Sequence, residues 1–126
     1  MDTKLINDIF LQDLQRLARD NERKRQNYDL RTTSEDTSQR MLNVLEPGTM
    51  VPVHRHEKTA ETVICIRGKL DEVFFEDEKG CKEIARYTLC PAEGSYGIQI
   101  PVGVWHTVEV YEPSVIFEAK DGAYGK

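Results

Sequence analysis

Histidine and cysteine are both scarce in this chain. Among 126 residues there are three histidines and three cysteines, Cys65, Cys81 and Cys90, with no C-x-x-C pair. A small, odd and dispersed cysteine set is not a disulfide framework, and it suits a reducing cytosol. No apolar run is long enough to span a bilayer, and the N-terminus, acidic at Asp2 and again at Asp8, has no signal-peptide core. Basic residues are outnumbered, 17 Lys and Arg against 22 Asp and Glu, for a formal net charge of -5. Nucleic acid and membrane are therefore not expected as partners, since each selects a basic face. Proline and glycine, 5 and 8 residues, are too few to suggest disorder. These absences leave a cytoplasmic protein of one compact domain, large enough to bury a core without disulfides.

The texture changes near residue 40. Before it, Asn7 or Asp8 can cap a helix running to about Asp20, with Phe10, Leu14, Leu17 and Ala18 on one stripe. A basic, polar arm follows from Asn21 to Leu30, then a loop over 32–38. An arm between a helix and a barrel can cross the barrel mouth, which makes Arg25 and Asn27 candidates for turning inward. From Arg40 onward, short strand-like runs alternate with breakers, Gly68 after the third run and Glu112-Pro113 between the last two among them: 40–45, 50–54, 62–67, 70–76, 83–89, 95–100, 106–111 and 115–120. About eight short strands in so small a domain predict an all-β fold, a jelly roll or barrel over residues 40–126, with residues 1–39 packed on it as helix and arm.

The histidines concentrate in this β region. His54 and His56 are two residues apart, so on a strand both point to one side, about 6.6 Å apart at about 3.3 Å per residue. A short turn at 57–60 returns the chain to Glu61, and His106 arrives from a distant strand, as the inside of a barrel permits. A lone histidine is most often incidental. Here every histidine of the chain falls in one pattern, and three imidazoles with one carboxylate suit a divalent ion, Fe, Mn, Ni or Zn, with positions left open. Met50 and Pro52 share the parity of the histidines and are expected to line the same cavity.

The spacing Gly48-x5-His54-x-His56-x4-Glu61-x6-Gly68 resembles the first cupin motif over its whole length. Gly94-x6-Pro101-x-Gly103-x2-His106 resembles the second, with one extra residue before Pro101 and Val110 where cupins often carry Asn. More narrowly, the chain resembles the WbuC-type cupin-fold metalloproteins. That resemblance runs through the N-terminal helix, Arg25-x-Asn27, Gln39 to Leu42, the His54 to His56 motif, Trp105 to Thr107, and the tail from Phe117 to Tyr124. It implies a double-stranded β-helix, a metal-binding jelly-roll barrel, forming a homodimer and associated with surface-polysaccharide gene clusters.

Other residues bear on what the metal would do. On the last predicted strand Ile116, Glu118 and Lys120 share a face, so Glu118 and Lys120 either meet solvent or lie beside the site. Inward, Glu118 could act as a general base. Arg40 would suit an anionic group of a substrate. Cys65 shares parity with Glu61 and reads as a small buried hydrophobe. Two functions follow: a metal-dependent oxygenase, isomerase or lyase acting on a small polar molecule such as a sugar or sugar acid, or a non-catalytic module that binds or senses such a molecule.

Overall fold

The computed structural model describes residues 3–122. Helix α1, Asp8–Asp20, begins where the Asn7 side chain accepts a hydrogen bond from the Phe10 backbone N–H at 3.0 Å. It buries Leu11, Leu14 and Ala18. Leu17, expected on that stripe, is 49% exposed, and the buried stripe runs instead through Leu11, Leu14 and Ala18.

Six strands form one antiparallel sheet: β1 Arg25–Asp29, β2 Ser38–Leu45, β3 Glu61–Phe75, β4 Glu83–Leu89, β5 Gly97–Ile100 and β6 Trp105–Asp121. Their order is β1-β2-β6-β3-β4, with β5 also on β3. The first half of β3 runs between β5 and β6, with Glu61 opposite both Ile100 and Lys120. Its second half runs between β4 and β6. A strand that changes partners midway bends the sheet around an interior, and β3 does so where its register with β6 shifts between Cys65 and Leu70.

Gly68 lies in that shift at φ 100°, and a Cβ there would collide with the Ser114 hydroxyl and the Pro113 carbonyl. Ser114 in turn accepts the Lys69 N–H at 3.0 Å, pinning the bend to β6. Gly68 was expected to separate two strands; instead it kinks one. Likewise 106–111 and 115–120 are a single strand, because Pro113 and Ser114 sit at the same bend without ending the pairing. The run at 50–54 forms no strand, only one bridge from His54 to His106. The polar arm supplies β1, which pairs with β2 from Arg25 opposite Leu45 to Asp29 opposite Met41.

Alternation then sorts the side chains. Leu42 and Val44 of β2 and Val115 of β6 pack outward against Leu11, Leu14 and Ala18 of α1. The neighbouring positions face inward, where Leu45, Val63, Cys65, Leu70, Phe74, Leu89, Ile100, Val110 and Ile116 form the interior core. Cys65 belongs to this apolar cluster, and burial pushes its thiol up to about 11, so it is inert at neutral pH. Polar residues share the inward positions with this apolar cluster, and Leu45 and Ile116 of the cluster line the same cavity as His54 and His106.

Candidate metal centre

The segment carrying His54 and His56 is laced to the start of β6. His54 N–H donates to the His106 carbonyl at 3.0 Å and His106 N–H returns to the His54 carbonyl at 2.8 Å. Gly103 N–H reaches the His56 carbonyl at 2.8 Å, and the Thr107 hydroxyl the Val51 carbonyl at 2.5 Å. These bonds bring together residues separated by half the chain.

His54, His56 and His106 each turn a ring nitrogen inward, and the three lie within 4.8 Å of one another. Two of the rings are oriented from behind. His54 Nδ1 lies 2.9 Å from the Pro52 carbonyl and His106 Nδ1 2.9 Å from the Val104 carbonyl. A carbonyl selects the tautomer with hydrogen on Nδ1, leaving Nε2 as a lone-pair donor. His56 Nε2 is buried with no hydrogen-bond partner. Three imidazoles with converging nitrogens, two tautomers set and the third nitrogen unserved, fit a divalent ion of the imidazole-binding type.

Glu61 opens β3 beside them, its carboxylate 3.4 Å from His56 Nε2 and 3.8 Å from His106 Nε2. Burial alone would raise this carboxyl, but the closeness of the His106 and His56 rings outweighs it and holds Glu61 at about 2. His54 is shifted the other way: burial favours its neutral form, the form that ligates metal, and the adjacent imidazoles add to the effect.

The cluster opens into a cavity of about 180 Å3 that continues along the inward face. Arg25, Asn27, Pro52, Asn43, Glu72 and Glu118 are among the residues lining it. Arg25 stands at the rim, with Nη1 donating to the Met50 carbonyl at 2.9 Å. Glu118 faces inward and accepts from Asn43 Nδ2 at 3.1 Å. Burial pushes the Glu118 carboxyl up to about 7, the nearby Glu61 charge adding to the rise and Asn43 opposing it. Glu72, 2% exposed, is raised well above its ordinary range by burial and then by the charges of Glu118 and Glu61.

Three expected members of the pocket lie elsewhere. The Met50 side chain is 84% exposed, because residues 50–53 form no strand and the alternation assumed for them does not apply. Arg40 turns to the outer face, where its guanidinium meets Asp36 at 3.1 Å. Lys120 is buried, but it and Arg40 line a separate groove, and its Nζ donates to the Gly122 carbonyl at 2.7 Å. Ala123 and Tyr124 of the tail lie outside the described residues. Conversely, Asn43 and Glu72 were not singled out from the sequence. The signal for Glu72 was present: it occupies the inward position between Leu70 and Phe74, where an apolar residue would serve packing alone.

A bent antiparallel jelly roll, one N-terminal helix, and histidines brought together from Gly48 to His56 and from Gly94 to His106 define a cupin-type barrel. The chain belongs to the family described as Domain of unknown function (DUF6016), whose model matches residues 6–87. Solved structures share the fold. The protein TT1209 from Thermus thermophilus is 21% identical with a TM-score of 0.65, the match covering 94% of this chain and 97% of that one. A cupin 2 domain-containing protein from Halorhodospira halophila is 20% identical with a TM-score of 0.57, over 77% of this chain and 62% of that one. The capsular polysaccharide assembling protein CapF from Staphylococcus aureus is 22% identical with a TM-score of 0.56, over 69% of this chain and 23% of its own. The chain thus spans about a quarter of the length of CapF. No curated protein matches it.

Proposed function

We propose that this protein is a metal-dependent enzyme of the cupin type that acts on a small polar molecule of sugar or sugar-acid character. The observation that carries the reading is the set of three converging imidazoles, two held by carbonyls in the ligating tautomer, opening directly into a cavity that also holds Arg25, Asn43 and Glu118. His54, His56 and His106 would hold one divalent ion, Fe, Mn, Ni or Zn, with Glu61 as the fourth ligand. Such an ion supplies Lewis-acid or oxygen-activating chemistry and anchors a ligand carboxylate or hydroxyl.

The chain's own groups do the rest. Arg25 at the rim receives an anionic end of the ligand. Glu118, with a carboxyl near neutrality and an oxygen fixed by Asn43, takes a proton from the ligand as general base. The apolar lining from Leu45, Val108 and Ile116 limits water around that transfer. The likeness to CapF, named for capsular polysaccharide assembly, supports a WbuC-type role in surface-polysaccharide metabolism. A cytoplasmic homodimer of a single domain, with α1 packed on the sheet and the arm joined to it as β1, completes the reading.

The test begins with metal analysis of protein purified without chelator, beside His54→Ala and His106→Ala. Both variants should stay folded, because the apolar side chains of the strands carry the core without the imidazoles, and both should lose most of the metal. Stoichiometric metal retained by both would sink the assignment. Sugars, nucleotide sugars and keto acids are then screened for turnover with each candidate metal, with and without oxygen. Thermal stabilisation by a ligand without turnover under any of these conditions would replace the enzyme reading with a binding or sensing module.

A further inference from the structure

Glu72 is not needed to hold the metal, and its position is costly. It is 2% exposed on an inward position of β3, and its Oε1 has no hydrogen-bond partner. Asn43, in the same cavity lining, gives Nδ2 to Glu118 and leaves its Oδ1 buried without a partner. Two orphaned oxygens lining one cavity are expected only where something else supplies the missing bonds.

The strand register places Glu72 relative to the imidazoles. Phe74 pairs with His106 and Glu72 with Val108, so Glu72 stands one inward step, about 6.6 Å, beyond His106 along the paired strands. A two-carbon acid held at the imidazoles falls short of it, whereas a longer chain spans the distance. The space suffices, since a single water needs only about 10–15 Å3 of a cavity of about 180 Å3. A hydroxyl is the matching group. It can donate to Asn43 Oδ1, and it can donate to or accept from Glu72 in either protonation state.

Resting on the reading of the cavity as a metal-anchored ligand site, we infer that Glu72 and Asn43 form a second anchor for a ligand hydroxyl. The ligand is accordingly a polyhydroxy acid of four or more carbons, its acid end at the imidazoles and Arg25 and its hydroxylated end against Glu72.

The experiment uses the full-length protein loaded with Co2+, titrated calorimetrically with glycolate, D-erythronate and D-gluconate while the visible cobalt spectrum is followed. At least one longer acid should bind about tenfold more tightly than glycolate, the worth of about one charge-assisted hydrogen bond. In Glu72→Leu that ratio should fall to within about threefold of unity, and Glu72→Met serves if the leucine variant does not fold. Equal affinity for short and long acids in the wild type, or a ratio surviving in the folded variant, overturns the anchor and assigns the orphaned oxygens to water. Those outcomes, with cobalt bound and its spectrum perturbed by the acids, leave the metal reading intact. Absence of bound cobalt, or no spectral response to any acid, defeats the metal reading and the anchor with it.

Discussion

Substituting Glu118 by glutamine should change how stability depends on pH, in a direction and window that the cavity dictates. In metal-free protein the Glu118 carboxyl titrates at about 7, against 4.5 for an unperturbed glutamate. Below pH 4.5 it is protonated in the folded and unfolded states alike, and it contributes nothing to the pH dependence. Between 4.5 and 7 the unfolded chain releases this proton and the folded chain keeps it, so stability falls as pH rises. At about 1.4 kcal/mol per pH unit, a rise from 4.5 to about 7 amounts to about 3 kcal/mol lost by pH 8. Glutamine keeps the shape and the contact with Asn43 but cannot ionise, so Glu118→Gln should gain about that much on the wild type between pH 4.5 and 8.

Other groups tilt the same curve. His54, held neutral by burial, is most stabilising above its unfolded pKa and loses that contribution as pH falls through the folded one. Glu61, held at about 2, contributes stability above about 4.5 that disappears as pH falls toward 2. The wild-type curve alone is therefore ambiguous, and the difference between variant and wild type isolates Glu118. Urea unfolding of chelator-treated protein at half-unit pH intervals, followed by circular dichroism, gives that difference. Curves running parallel within about 0.5 kcal/mol from pH 4.5 to 8 would refute the inward, charge-crowded placement of Glu118.

Two further predictions address the scaffold. Gly68→Ala should cost about 3 kcal/mol in chemical denaturation, since φ 100° and contact with Ser114 and Pro113 both oppose a Cβ; a loss below about 1 kcal/mol would mean that the β3 bend is not as described. Tyr111→Phe should cost about 1–2 kcal/mol with no loss of bound metal, because the tyrosine hydroxyl donates at 2.6 Å to Asp71, a buried carboxylate outside the metal cavity. A change in metal content in that variant would show the outer network to be coupled to the site.

Glu118 and Lys120 show how far parity reaches in the sequence. They share a face of β6, yet one lines the imidazole cavity and the other a separate groove, because strand alternation sets the side and not the depth along the barrel. Met50 shows the opposite failure: a parity argument holds only where the backbone is a strand, and here it is not. Gly68 and Pro113 were legible as breakers, but a breaker opposite another breaker can bend two paired strands together without ending either.

Composition and spacing by themselves determined the β-rich class, the helix at Asp8–Asp20 and the grouping of every histidine with Glu61, because periodicity, capping and motif spacing are local properties of the chain. Tertiary structure decided the rest. The meeting of His54 and His56 with His106, the inward turn of Glu118, and the burial of Glu72 and Asn43 without full partners arise from strand pairings between residues tens of positions apart. Such pairings are set by the closing of the whole sheet, a balance of many small terms that no short stretch of sequence contains.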